Sequence, residues 1–275
     1  MKKILLIIWI VLASISVNAT EIDERKVDIY FGNGVWNDRT KAKFGRDALE
    51  TFIQLNLNRP NEKVKLAFNH TNGYRRDLIE TFYQLKMINQ ISTGYFLMLS
   101  KMMTPEIPTS LLSIYLQGMI SEEASDLATM VINYKNNINA GHRVLLVAHS
   151  QGTLFGIRSF NSFQPWQKNY FRQVSVASPG NIVPHDGDWI TDEGDIVIKK
   201  IIDSVLITKS LKVNAHNTIA LPDISGHEFI ASYLAGNDTS LKITTAISKA
   251  IIKLNSISSQ WKLKQDKTCG TVSCE

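Results

Sequence analysis

The chain has 275 residues, of which 44% are hydrophobic and 20% charged, with a formal net charge of +5. That length suits one domain with a sizeable core, or one domain carrying an insertion, and no internal repeat or low-complexity tract argues otherwise. The lysines are scattered and no basic stripe interleaves with aromatics; this excludes a nucleic-acid partner and leaves only weak, transient contact with an anionic membrane surface.

Lys2-Lys3, the apolar run Ile4 to Val17 and the small residues of Val17-Asn18-Ala19 have the layout of a secretory signal peptide, residues 1–19, cut after Ala19. The run is shorter than the ~20 residues of a spanning helix; an uncleaved membrane anchor is the alternative. No cysteine stands near the cut, which argues against a lipid anchor. A secreted or periplasmic protein is expected, with residues 20–275 as a single domain. Export exposes the two cysteines, Cys269 and Cys274, to an oxidising compartment, so a local disulfide is expected there. Closing so short a loop contributes about 2 kcal/mol.

Val27 to Phe31 alternates like a strand and ends at Gly32-Asn33-Gly34. Ala42 to Leu57 predicts a helix with Phe44, Leu49, Phe52, Ile53 and Leu57 as its buried stripe, stopped by Arg59-Pro60. Val64 to Phe68 predicts a second strand. Tyr74 to Met119 is helical in pattern, rich in methionine and aromatics, and broken at Pro105 and Pro108; it is too long for an ordinary crossover. Segment 74–119 is therefore expected as a helical insertion, with Met102 and Leu111 as candidate lining of an acyl-chain pocket under a cap. Ser121 reads as the N-cap of a further helix through Ile138, which Gly141 ends. Further strands are expected at Arg143 to Ala148, Gln173 to Ala177 and Trp189 to Thr191, and helices at Glu228 to Leu234 and Ser240 to Leu254. Strands alternating with helices predict an α/β fold with a doubly wound, mainly parallel sheet flanked by helices.

The most specific segment is Val144-Leu145-Leu146-Val147-Ala148-His149-Ser150-Gln151-Gly152. An apolar strand runs into a serine-tipped turn, and a helix-compatible stretch, Thr153 to Phe160, follows. Such a turn lifts Ser150 from the sheet with a helix N-terminus behind it and its oxygen expected exposed. Small residues are required two positions to either side, where strand and helix backbones approach; Ala148 and Gly152 stand there.

A serine hydroxyl needs a base, and the base an acid that orients it. In this architecture they follow in the order serine, acid, histidine. His227, in Ser225-Gly226-His227-Glu228, is the preferred base, with His216 as competitor; His185 comes too early. Asp195 is the preferred acid, because the apolar Ile196-Val197 pair after it can anchor it by burial; Asp192 is the alternative. An oxyanion hole needs two backbone N–H donors. Gln151, just after the serine, supplies one, and Val35, in the loop after the first strand, is the candidate for the other. The acidic run from Asp186 to Asp192 fails calcium-loop spacing, with Ile190 and Val197 where ligands belong. No metal and no cofactor is expected.

These residues resemble the α/β-hydrolase superfamily, and within it secreted lipases and esterases. The likeness rests on Phe31-Gly32-Asn33-Gly34-Val35, on the elbow Ala148-His149-Ser150-Gln151-Gly152, and on Asp195-Ile196-Val197 with His227-Glu228-Phe229-Ile230. It covers most of residues 27 to 235. Ala148 stands where the pattern has glycine, and Asn33 where these lipases carry histidine. The resemblance implies an α/β-hydrolase fold and cleavage of a small-molecule or lipid ester through an acyl-enzyme on Ser150. An acyltransferase would use the same residues. A hydrolase-fold protein that merely binds a lipid or partner is the non-catalytic alternative.

Overall fold

The computed structural model describes residues 26–205, 211–218 and 222–257. The expected signal peptide and the expected Cys269–Cys274 bridge lie outside the described residues. In chain order the regular elements are β1 (Val27–Gly32), α1 (Arg39–Asn56), β2 (Val64–Ala67), α2 (Tyr74–Met87), α3 (Thr93–Met103), α4 (Thr109–Asn139), β3 (Arg143–His149), α5 (Gln151–Asn161), the one-turn α6 (Pro165–Lys168), β4 (Phe171–Val176), β5 (Trp189–Ile190), α7 (Ile196–Val205) and α8 (Asn237–Asn255). A π-helical turn, Phe229–Leu234, precedes α8.

The strands form one sheet in the order β2-β1-β3-β4-β5, every pair parallel. Parallel neighbours require crossovers, and α-helices fill those from β1 through β4, with only the short 3-10 turn Pro184–Asp186 before β5, so this is an α/β fold. Side chains alternate across the sheet and sort the core into two layers. Ile29, Phe31, Leu145 and Val147 face Leu49 and Ile53 of α1 and Ile247 and Ile251 of α8. Tyr30, Val144 and Leu146 face Tyr134 of α4 and Phe155 of α5. Both β1 and β3 are buried along their whole length, which explains the apolar run 144–148 of β3, while Asp28 of β1 is buried in pairs with Lys65 and His142. The chain direction through the sheet reverses between β1 and β3, and such a switch point leaves a crevice at the carboxyl ends of the strands. Register brings Gly32 of β1 beside Ala148 of β3, so the loops that follow both strands meet there.

Segment 74–119 folds as α2, α3 and the first third of α4, with the predicted break at Thr104–Pro108. Phe82, Phe96, Leu112 and Met119 form a third apolar cluster with Leu154 and Ile157 of α5 and Ile201 of α7. Two local expectations fail. Ser121 does not cap a helix, because α4 runs unbroken through it; the helical spacing of Leu112, Leu116 and Met119 continues to Met130, Tyr134 and Ile138, so packing leaves no reason to unwind. Phe44 is not core: it is 63% exposed, being turned about 80–180° around α1 from Leu49, Phe52 and Ile53 at the 3.6-residue period.

Candidate active site

Ser150 joins β3 to α5 with φ 53° and ψ −124°, a left-handed conformation costly for a residue with a Cβ and found chiefly at functional sites. The turn is held from several sides. Ser150 N–H donates to the Val176 carbonyl at 2.8 Å. The Ser150 carbonyl accepts from Thr153 N at 3.0 Å and from Thr153 Oγ1 at 2.7 Å. Gly152 is obligatory: a Cβ there would lie 2.7 Å from the carbonyl oxygens of both Gly32 and Asn33. The elbow is thus pressed against the loop after β1, and a Cβ on Gly34 of that loop would lie 2.8 Å from the Cβ of Ser150.

That closeness corrects one expectation. Ser150 is only 1% exposed, because the loop after β1 and the ring of His227 cover it. His227 Nε2 lies 3.0 Å from Ser150 Oγ. On the far side of the ring, His227 Nδ1 lies 2.9 Å from Asp195 Oδ2 and 3.1 Å from Oδ1. A carboxylate facing Nδ1 places the ring proton there and leaves the Nε2 lone pair toward the hydroxyl.

The acid and histidine come from loops after β5 and before the π-helical turn. Asp195 caps α7, accepting the Ile198 N–H at 2.9 Å, and Tyr233 donates its hydroxyl to Asp195 Oδ2 at 2.8 Å. Burial, and then the Asp195 charge, push the Tyr233 phenol far above its usual range, so it stays a donor. Helix capping therefore anchors the acid, whereas the expected burial of Ile196 does not occur; that side chain is exposed. The loops touch where Gly226, at φ 67°, passes Gly194; a Cβ on Gly226 would sit 2.3 Å from the Gly194 carbonyl oxygen.

Two supports carry no signal in a catalytic motif. Asp223 accepts from the N–H groups of Ser225, His227 and Glu228 at 2.9, 2.7 and 2.8 Å and from Ser232 Oγ at 2.8 Å. Against a burial that would raise it, these bonds hold its carboxyl well below the usual carboxylate range. The sequence signal available for Asp223-Ile224-Ser225-Gly226 is that of a turn in which an aspartate bonds the backbone two residues on. His149 donates Nε2–H to the His227 carbonyl at 2.8 Å. Burial first, and the neighbouring His227 second, lower its pKa far enough to keep it neutral.

The alternatives fall outside this group. His216 is exposed and pairs with Glu193 at 2.7 Å. Asp192 accepts from Asn217 Nδ2 at 2.6 Å. His185 stacks edge-on against Phe160. The structure brings Ser150, His227 and Asp195 together and leaves Asp192, His216 and His185 apart. Gln151 is the first residue of α5, where a backbone N–H has no partner within the helix. Val35 is buried, and among the described residues its N–H has no acceptor.

A cavity of about 1060 Å³ opens beside Val35, His149 and His227. One wall is α1, through Phe44, Ala48, Thr51 and Leu55, which share a helical face. The facing wall includes Ile230 and Leu234 of the π-helical turn. No residue of segment 74–119 lines it; Met102 and Leu111 are instead 65% and 51% exposed. Comparison with protein-family models gives no match, and comparison with curated proteins gives none either.

Proposed function

We propose that this chain is an exported serine hydrolase of the α/β-hydrolase type, cleaving carboxylic esters through an acyl-enzyme on Ser150. The observation that carries the reading is the unbroken line of hydrogen bonds from Ser150 Oγ through His227 to Asp195, with the serine held at positive φ on a strand-to-helix turn. Three residue types in those roles are what nucleophilic acyl transfer requires.

In this mechanism Ser150 Oγ bonds to the ester carbonyl carbon while its proton passes to His227 Nε2. Asp195 stabilises the imidazolium, and the carbonyl π electrons move onto oxygen. The N–H groups of Gln151 and Val35 receive that oxyanion, each worth about 10²- to 10³-fold in rate. Collapse breaks the bond to the alcohol, which leaves with the proton from His227. Water, activated by the same histidine, then frees the acid and restores Ser150. An acyltransferase would place a second alcohol in the role of water.

The cavity favours an apolar acyl group. Phe44 and Leu55 stand 63% and 77% exposed on a helix whose opposite face already fills the core; the wall between them is about 17 Å long at 1.5 Å per residue. We place the substrate among lipid or other small-molecule esters, in the periplasm or outside the cell, with at most transient membrane contact.

The test is covalent labelling of the folded mature protein by a fluorophosphonate. Labelling that Ser150→Ala abolishes supports the reading. A folded wild type that neither labels nor turns over nitrophenyl esters would leave a non-catalytic binding protein.

A further inference from the structure

Beneath the elbow runs a line of buried polar side chains that the proton relay does not use. Asn33 and Asn69 are joined twice: Asn33 Nδ2 donates to the Asn69 carbonyl at 3.0 Å, and Asn69 N–H donates to Asn33 Oδ1 at 3.0 Å. Asn69 Nδ2 then donates to Gln151 Oε1 at 3.0 Å, and Gln151 Nε2 donates to Glu80 Oε1 at 3.0 Å. All four residues are at most 2% exposed. They belong to four separate parts of the chain: the loop after β1, the loop after β2, the start of α5, and α2 of the helical insertion. Burying polar groups is costly and wins nothing over apolar packing unless orientation is what matters.

Orientation does matter at both ends of this line. Gln151 carries the backbone N–H on the α5 side of the oxyanion site, and Asn33 stands two residues before Val35, the donor on the β1 side. We infer that the Asn33–Asn69–Gln151–Glu80 line holds the two oxyanion donors in register, with Glu80 of the helical insertion as its anchoring, positioning residue. This rests on the reading of Ser150 as the nucleophile.

Glu80 anchors the line as a neutral acid. Burial first, then Asp77 on the same helix and Asp126 on α4, push its carboxyl up to about 8, against the pull of Arg158 on α5 and Arg76 on α2. Glu123 of α4 is itself engaged by Arg158 and Gln84. A neutral carboxyl accepts the Gln151 amide without bringing negative charge toward a site where negative charge develops. Its ionisation would oppose the transition state. The helical insertion thus acts on the reaction from below the elbow, through α2, and not as a wall of the cavity.

The experiment compares wild type, Glu80→Gln, Glu80→Ala and Asn69→Ala as full mature proteins. It measures the rate of fluorophosphonate labelling, kcat and KM on a nitrophenyl ester across neutral to alkaline pH, and thermal unfolding. Glu80→Ala should label about tenfold slower or worse, with the loss in kcat and KM changed less than about twofold. Glu80→Gln, which keeps the acceptor oxygen, should match wild type at neutral pH and hold its rate above pH ~8, where wild type declines. Should Glu80→Ala fail to fold, Asn69→Ala carries the kcat test. Glu80→Ala labelling as fast as wild type, or a Glu80→Gln pH profile superimposable on wild type, would overturn the inference while leaving the hydrolase reading intact. Absence of labelling in wild type would instead remove that reading itself.

Discussion

Gly152→Ala adds one methyl group where the elbow has no room. The new Cβ would lie 2.7 Å from two carbonyl oxygens, where ordinary contact begins at 3.4 Å, so α5 and the loop after β1 must part by about 0.7 Å. The obstacles are backbone atoms of Gly32 and Asn33 and cannot rotate aside. Alanine recovers about 1 kcal/mol over glycine in a helix, while overpacking costs about 1–3 kcal/mol. A net loss of up to about 2 kcal/mol is expected. Activity should suffer far more, because a misplacement approaching 1 Å between catalytic groups costs up to about 100-fold. Gly118→Ala is the control: on exposed α4, a Cβ there meets nothing within 4 Å, so it should gain about 1 kcal/mol with unchanged turnover. Urea unfolding followed by circular dichroism and kcat on a nitrophenyl ester decide the matter. If Gly152→Ala equals wild type in both, the close approach of loop and elbow is wrong, and the oxyanion assignment of Val35 with it.

His227→Ala should lower turnover about as much as Ser150→Ala, since members of a triad act as a unit, whereas His216→Ala should change it less than about twofold; the opposite ranking in folded proteins would move the base. Phe44→Asp and Leu55→Asp should depress hydrolysis of long-chain esters well beyond that of acetate esters, while Met102→Asp should not; equal losses on both chain lengths would separate the cavity from substrate binding. Glu80→Gln should also change how stability depends on pH. The folded carboxyl titrates near 8 against an ordinary 4.5, so wild-type stability is fully present below the lower value and declines as pH rises to the higher one. That difference is on the order of 5 kcal/mol and should be absent in the glutamine variant. Parallel stability curves for the two proteins would show that Glu80 ionises freely.

Local patterns were enough for the sheet and for the elbow. The apolar runs of β1 and β3, the turn at Gly32-Asn33-Gly34 and the small residues flanking Ser150 each act within a few positions, where steric rules and side-chain periodicity decide the backbone. The order serine, acid, histidine comes from the architecture that the elbow implies. Local sequence favours Asp195 over Asp192 and His227 over His216, but what fixes the two in space is not legible there. Asp195 lies 32 positions from His227, which lies 77 from Ser150, and their meeting is decided by the capping of α7, the passage of Gly226 against Gly194 and the bond from Tyr233. Periodicity also placed Phe44 in the core stripe, although only the packing of α1 on the sheet shows which side of the helix faces the cavity. The burial of Ser150, and the joining of Asn33, Asn69, Gln151 and Glu80, depend on four segments converging. Each segment taken alone is an ordinary loop or helix; hydrogen bonding in a dry interior is what makes them one unit.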